Sequence, residues 1–184
     1  GNHGGSDYWI VKLSPSGEIT WQQSLGGSVA DSATSIKQTI DGGYIVAGYS
    51  SSSDGDVTVN QGSGDYWIVK LHAAGGIEWQ KSFGGSEFDN ALSIDQTNDN
   101  GYIIAGLTNS NDGDVTLNQG VRDYWIVKLN MTGDLIWEKS LGGSEDDRAY
   151  SIKQTSNNNY IIGGFSSSHD GDVTANNGEG DCWI

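Results

Sequence analysis

Residues 65–71 read Asp-Tyr-Trp-Ile-Val-Lys-Leu, and this segment decides how the rest of the 184-residue chain is interpreted. The same seven residues recur at 7–13 and 123–129, and Asp-Cys-Trp-Ile stands at 181–184. Each copy begins 58 residues after the one before it. We therefore interpret residues 1–184 as a single repeat array with units 7–64, 65–122 and 123–180, and with 181–184 starting a fourth.

Each unit contains four short segments rich in β-branched and aromatic residues. Asp41-Gly42-Gly43 is typical of a hairpin turn. No segment has the 3.6-residue period of an amphipathic helix. The pattern predicts an all-β fold of tandem four-stranded antiparallel blades, forming a β-propeller or part of one. The predicted strands are 9–13, 17–25, 33–39, 44–48, 65–71 and 77–83, repeating onward.

Small residues indicate which strand of each unit is innermost. The Ala-x-Ser-Ile-x-Gln-Thr segment, at 33–39 in the first unit, suits the crowded axis of a propeller. The segments 44–48, 65–71 and 77–83 would then be second, third and fourth. On this interpretation the sequence opens with strands three and four of one blade and ends in strand three of another. We expect either a longer array or association between chains, because unpaired terminal strands seek partners.

The motifs Asp-Tyr-Trp-Ile-Val-Lys-Leu, Trp-x-x-Ser-Leu-Gly-Gly-Ser and Ser-Ile-x-Gln-Thr-x-Asp-Gly-Gly-Tyr-Ile-Val-Ala-Gly recur in this order, with small variations. Their order and spacing resemble the bacterial β-propeller repeat family over essentially the whole chain. The resemblance implies a secreted or surface-attached bacterial protein whose repeats serve in display or adhesion, and it implies no particular ligand. The Asp-Gly-Asp-Val-Thr loop replaces a Pro-containing segment of the family, so no role is carried over to it.

The composition excludes several classes of function. The 9 basic and 24 acidic residues give a net charge of −15, and no basic patch is present, which argues against nucleic acid and anionic membrane surfaces. No apolar run approaches the ~18–20 residues of a membrane span. The chain opens at Gly1 without a charged and apolar leader, so we expect any signal segment to have been removed. With the resemblance, this predicts an extracellular or cell-surface location.

The strongest chemical signal is the loop Asp-Gly-Asp-Val-Thr with a following Asn and Asp. Its oxygen-bearing side chains are the hard ligands that Ca²⁺ prefers, although the spacing is not that of an EF-hand. The alternative is a structural loop organised by Asx turns, with Gly supplying positive φ. The structural loop is the favoured interpretation, and calcium is the one candidate cofactor. The candidate ligands are Asp54, Asp56, Asn60 and Asp65, then Asp112, Asp114, Asn118 and Asp123, then Asp170, Asp172, Asn176 and Asp181.

Two further repeated positions have structural interpretations. Asp31, which recurs as Asp89 and Asp147, follows Gly-Gly-Ser and is expected to cap that turn by accepting hydrogen bonds from backbone amides. The lysine of the Trp-Ile-Val-Lys motif is expected to be ion-paired or to lie along the sheet. It stands at Lys12, Lys70 and Lys128.

The seven Trp residues form two repeated rows. One row follows Asp-Tyr or Asp-Cys in the third strand, and the other lies in the fourth strand. Rings that recur in every unit are expected to pack between blades, whereas an exposed row could stack on sugars. The outer fourth strand borders solvent, so the candidate ligand-binding residues are Trp21, Trp79 and Trp137.

Three functions remain open from the sequence. The first is a non-enzymatic extracellular module for binding or display, contacting a glycan or a surface protein through repeated loops. The second is a self-assembling repeat unit that completes a ring or filament by strand pairing between chains. The third is a propeller-type carbohydrate-active enzyme, which needs a catalytic set that breaks the repeat symmetry. No nucleophile–base–orienter pattern is present, so we predict no catalytic residue and no enzyme.

Overall fold

A computed structural model describes residues 1–176, 178 and 180–184. These residues form strands, turns and loops and contain no helix, hence none that could span a membrane. Four antiparallel sheets follow one another along the chain. Their strands are β1 (Tyr8–Leu13) and β2 (Ile19–Leu25); β3 (Asp31–Gln38), β4 (Tyr44–Ser50), β5 (Asp65–Leu71) and β6 (Ile77–Phe83); β7 (Asp89–Gln96), β8 (Tyr102–Thr108), β9 (Asp123–Leu129) and β10 (Leu135–Leu141); and β11 (Asp147–Gln154), β12 (Tyr160–Ser166) and β13 (Asp181–Trp183).

The sheets confirm the predicted all-β fold of tandem four-stranded blades. Hydrogen-bonded neighbours follow chain order in each sheet, as in β3-β4-β5-β6. The third and fourth strands β5 and β6 have the predicted bounds, whereas β3 and β4 are longer than predicted because Asp31 pairs with Ser50 beyond the apolar segments. The terminal sheets β1-β2 and β11-β12-β13 remain separate, so no sheet among the described residues closes a ring.

The first strands of successive blades lie against each other, as expected of innermost strands. Thr34 Oγ1 in β3 donates to the Ala91 carbonyl in β7 at 2.6 Å. The Ile94 amide donates to Ser35 Oγ at 3.3 Å, and the Ile152 amide donates to Ser93 Oγ at 3.2 Å. The small side chains of these strands allow the two backbones to come this close.

A repeated Tyr–Trp contact packs each blade on the next. The rings of Tyr66 and Trp125 lie 4.5 Å apart, and the Tyr66 hydroxyl donates to the Trp125 carbonyl at 2.9 Å. Trp67 and Trp125 are completely buried, so this row belongs to the core between blades. Trp9 differs, with 67% of its surface exposed, because none of the blades formed by the described residues covers the other side of β1. The equivalent pairs are Tyr8–Trp67 and Tyr124–Trp183.

Gly106 is required where the second strand passes the first strand of the same blade. A Cβ on Gly106 would lie 2.0 Å from the Asn90 carbonyl oxygen and 2.7 Å from the Tyr66 hydroxyl. We expect Gly106→Ala to lower the free energy of unfolding by about 1–3 kcal/mol, because the strand and the Tyr66 ring must shift. Urea denaturation followed by Trp fluorescence measures this change.

Gly163 provides a matched control for this substitution. A Cβ there would meet its nearest atom at 3.9 Å, and Ala47 and Ala105 occupy the same position in the other units. Gly163→Ala should leave the stability unchanged or raise it slightly. Equal losses in the two variants would contradict the close approach at Gly106.

Candidate functional site

The antiparallel strands place polar side chains at two opposite ends of each blade. The loop end holds the Gly-Gly-Ser segments and the Asp-Gly-Asp loops, because Asp31, Ser50 and Asp65 lie side by side where β3 begins, β4 ends and β5 begins. The turn end holds the hairpin turns near Asp41 and the turns that follow the third strands. Each junction between blades therefore has a loop-end and a turn-end site.

At the loop end, three carboxylates hold three successive amides of the Gly-Gly-Ser segment. The Gly84 amide donates to Asp114 Oδ2 at 3.2 Å, the Gly85 amide to Asp89 Oδ2 at 2.9 Å and the Ser86 amide to Asp112 Oδ1 at 2.7 Å. The capping role predicted for Asp89 is confirmed. The same bonds recur at residues 26–28 and 142–144.

The predicted calcium ligands of one loop are divided between two junctions. Asp54 and Asp56 bind the segment at 26–28, whereas Asp65 lies beside Gly84 at the next junction. Asn60 lies between them and forms an Asx turn, accepting from the Gly62 amide at 3.0 Å and donating to the Ser50 carbonyl at 3.3 Å. The second loop is divided in the same way, with Asp112 and Asp114 at one junction, Asn118 between, and Asp123 at the next.

The third loop follows the same plan. Asp170 and Asp172 accept from the amides of Ser144 and Gly142, Asn176 donates to the Ser166 carbonyl, and Asp181 begins β13. Among the described residues, no three or more His, Cys, Asp or Glu side chains are arranged as a metal centre.

A glutamine that the sequence analysis missed links the two groups of carboxylates. The backbone amide of Gln61 donates to Asp65 Oδ2 at 2.6 Å, and its side-chain Nε2 donates to Asp114 Oδ2 at 2.6 Å. Gln119 makes both bonds at the next junction, to Asp123 and Asp172. The repeated Gln-Gly pair at 61–62 and 119–120 is the sequence signal that could have identified this link.

Asp65 and Asp123 are the most perturbed acids of the loop end. Both are completely buried, and Oδ1 of each has no hydrogen-bond partner. Burial, opposed by the hydrogen bond from the Gln61 amide and reinforced by the charges of Asp89 and Asp114, raises the pKa of Asp65 to about 6. Burial, with the charges of Asp147 and Asp172, likewise raises the pKa of Asp123 to about 6.

The turn end holds a buried lysine between two acids. Lys70 Nζ lies 2.9 Å from Asp41 Oδ2 and 3.0 Å from Glu78 Oε2. Hydrogen bonds from Lys70 and Thr39 lower the pKa of Asp41 to about 2. The predicted ion pairing is confirmed here and at Lys128, which pairs with Asp99, whereas Lys12 lies over the Tyr44 ring at 5.6 Å.

An open groove of about 400 Å³ lies at the turn end between two blades. Trp79 and Tyr102 form its aromatic part, with ring centroids 5.8 Å apart. Its polar lining includes Asp41, Lys70, Glu78, Gln96 and Asn100. A related groove at the next junction is lined by Asn98, Asp99, Gln154, Asn158 and Tyr160.

The three candidate Trp residues all lie at these junctions. Each faces a Tyr of the following blade, in the pairs Trp21–Tyr44, Trp79–Tyr102 and Trp137–Tyr160. The turn of the following blade covers part of the Trp79 ring, since a Cβ on Gly133 would lie 2.8 Å from it. Trp21 and Trp79 are half-buried and Trp137 is 38% exposed, so the row packs between blades and also borders solvent.

Comparison with known proteins gives a weak similarity to a regulatory protein. The chain is 24% identical over 171 residues to the regulatory protein FlaEY of Caulobacter vibrioides. The similarity covers 84% of this chain and 17% of that protein, so the chain spans a small part of its relative. No model of a known protein family matches the chain.

Proposed function

We propose that this chain is a non-enzymatic extracellular repeat module of the bacterial β-propeller repeat type, and that it binds glycans at its turn-end grooves. The observation that carries the proposal is the half-buried Trp79 in an open groove lined by polar side chains. The fourth-strand Trp recurs at every junction, beside a Tyr of the next blade. A groove with an aromatic floor and convergent polar groups is typical of ligand sites.

The chemistry of the groove suits a sugar. An aromatic ring offers a flat apolar surface to the C–H face of a pyranose. The side-chain amide of Asn100 can donate and accept hydrogen bonds. The carboxylates of Asp41 and Glu78 can accept hydrogen bonds from the hydroxyl groups of a sugar. Lys70 fixes both carboxylates and is itself only 2% exposed, so the groove presents acceptors on a rigid base.

Repetition of the groove favours a polymeric ligand. Three junctions carry the Trp–Tyr pair. A polysaccharide that contacts two grooves gains affinity because the second contact is intramolecular. We therefore expect stronger retention on polysaccharides than on their short oligosaccharides.

Affinity electrophoresis through gels containing neutral polysaccharides, with a glycan array beside it, tests the proposal. We expect the wild-type chain to be retarded by at least one polysaccharide, and Trp79→Ala to weaken the apparent affinity roughly tenfold, the loss expected for one aromatic contact of about 1–1.5 kcal/mol. Trp9→Ala is the matched control, since Trp9 is 67% exposed but lies outside the grooves. It should bind as the wild type does.

A second variant separates binding from folding. Asn100 is exposed and has a φ of 64°, so Asn100→Gly keeps the turn and removes the amide. It should weaken binding while the melting temperature stays near that of the wild type. The proposal would be contradicted if the wild type bound nothing in either the electrophoresis or the glycan array. Equal binding by Trp79→Ala and Trp9→Ala would contradict it as well.

Exposure of the faces of β1 and β3 favours a second candidate, self-assembly by strand pairing. Trp9 and Ile36 are 67% and 49% exposed, whereas their counterparts Trp67 and Ile94 are completely buried. A neighbouring blade covers Trp67 and Ile94 in the second unit. A blade of another chain could cover Trp9 and Ile36 in the same way. Light scattering after size exclusion should then show a mass that rises with concentration, and Trp9→Lys should suppress the rise. A constant monomer mass would contradict this candidate.

A further inference from the structure

The two internal junctions lie between the blades β3–β6 and β7–β10 and between the blades β7–β10 and β11–β13. At each of them, the carboxylates of two blades lie on the same side of a glycine. A Cβ on Gly84 would lie 2.6 Å from Asp65 Oδ1 and 2.7 Å from Asp89 Oδ2. At the next junction, a Cβ on Gly142 would lie 2.6 Å from both Asp123 Oδ1 and Asp147 Oδ2. Asp65 Oδ1 and Asp123 Oδ1 therefore point toward the acid of the following blade.

Most other acceptors of this cluster have protein donors. Asp89 Oδ2 accepts from the Gly85 amide and from the Ser110 hydroxyl, and Thr108 donates to Asp89 Oδ1. Asp65 Oδ2 accepts from the Gln61 amide. Asp65 Oδ1 has no partner although the residue is completely buried, and Ser82 Oγ is likewise buried without one.

Ser82 lies on the same face of the sheet as Asp65. Ser82 is paired with Trp67, two residues after Asp65, and side chains two apart on a strand share a face. The equivalent Ser24 donates to Asp7 Oδ2 at 3.2 Å. Asp123 and Ser140 repeat the arrangement, and both have an unpaired buried oxygen.

No basic side chain compensates these acids. Among the described residues, no Lys, Arg or His forms an ion pair with Asp65, Asp89 or Asp114, nor with their counterparts Asp123, Asp147 and Asp172. Buried carboxylates without a counter-charge are costly, and a bound cation removes that cost.

We propose that each internal junction binds one calcium ion at its loop end, held by Asp65 and Asp89 at one junction and by Asp123 and Asp147 at the other. Ca²⁺ accepts carboxylate, hydroxyl and water oxygens in a flexible geometry, which fits two acids beside a serine. With two carboxylates per ion, we expect a dissociation constant on the order of 10⁻⁴ to 10⁻³ M, as in extracellular modules. The Asp-Gly-Asp pairs take no part, because they cap amides. The site is independent of glycan binding.

Calorimetric titration with CaCl₂ at pH 7.5 tests the proposal, with MgCl₂ at matched ionic strength as the ion control. We expect Asp65→Asn/Asp123→Asn to bind two fewer Ca²⁺ ions per chain than the wild type. Asp112→Asn/Asp170→Asn is the matched control, since it removes the same charge from exposed residues at the same two junctions. It should retain the wild-type stoichiometry, and Mg²⁺ should bind at least tenfold more weakly than Ca²⁺.

Terbium luminescence gives a readout that needs no variant. Trp67 and Trp125 lie two residues beyond Asp65 and Asp123, so Tb³⁺ at the junctions should be sensitised by Trp excitation and displaced by CaCl₂. Three results would overturn the proposal. The first is wild-type stoichiometry in Asp65→Asn/Asp123→Asn, and the second is loss of ions only in Asp112→Asn/Asp170→Asn. The third is no Ca²⁺ binding up to about 10 mM, a concentration tenfold above the weakest dissociation constant expected.

Discussion

Replacing Trp125 with alanine is expected to lower the free energy of unfolding by about 3–5 kcal/mol, the range for a large aromatic residue removed from a core. The ring is completely buried and packs on Tyr66 of the preceding blade at 4.5 Å. Its loss leaves a cavity between two sheets that the rigid strands on either side cannot fill. For a chain of this length, the melting temperature should fall by roughly 6–20 °C, which calorimetry measures directly.

Trp9 provides the control, because the repeat places the same residue in a different environment. It stands at the equivalent position of the first copy but is 67% exposed, with its Nε1 bonded to Gln22 at 3.0 Å. Trp9→Ala should cost less than about 1 kcal/mol, as is usual for surface substitutions. Similar losses at the two positions would mean that the blades do not pack on one another through this row.

The stability of the chain is expected to fall as the pH rises from 5 to 7.5 in EDTA. Burial raises the pKa of Asp65 and of Asp123 to about 6, above the value of about 3.9 in an unfolded chain. Between these values the folded state binds more protons than the unfolded state, so stability is full below pH 4 and is lost as the pH passes 6. The full effect at each site is about 3 kcal/mol, and about half of it is lost between pH 5 and 7.5.

Below about pH 4, the stability of the chain is expected to change with pH in the opposite direction. Hydrogen bonds from Lys70 and Thr39 lower the pKa of Asp41 to about 2, and bonds from Thr97 and Lys128 do the same for Asp99. The stability that these two acids contribute is present above pH 4 and is lost as the pH falls toward 2. Melting temperatures measured at constant ionic strength should therefore be highest near pH 4–5.

The variant Asp65→Asn/Asp123→Asn tests whether the loss of stability between pH 5 and 7.5 comes from the acids at the junctions. This variant removes both buried charges, so in EDTA it should melt above the wild type at pH 7.5 and show little change from pH 5 to 7.5. Asp112→Asn/Asp170→Asn should keep the wild-type slope, since those acids are exposed. Superimposable profiles for the wild type and Asp65→Asn/Asp123→Asn would contradict the assignment.

The repeat made most of the fold predictable. The strict 58-residue period aligns every strand with its counterparts, and β5 and β6 have the bounds that their composition indicates. The ends of β3 and β4 were missed because Asp31 and Ser50 are polar, and only their pairing makes them strand residues. The exposure of Trp9 was missed because a repeat implies the same environment for every copy.

The loop-end site was less predictable, because its members are far apart in the sequence. Asp54, Asp56 and Asp65 are close along the chain, yet strand register and blade packing place Asp65 with Asp89 and Asp114 instead. The glycine after each fourth strand permits this meeting, and its role appears only when the paired strand is known. The capping role of Asp89 and the ion pair of Lys70 were predictable, since both depend on local or repeated charge.

Carboxylates of adjacent blades meet, buried and uncompensated, at each internal junction. Carbon-detected NMR titration of the aspartate carboxyl groups in EDTA is the direct test of this arrangement. We expect two carboxyl signals that titrate near pH 6 and disappear in Asp65→Asn/Asp123→Asn, while those of Asp41 and Asp99 titrate near pH 2. Titration of Asp65 and Asp123 near the ordinary aspartate value of about 3.9 would contradict it.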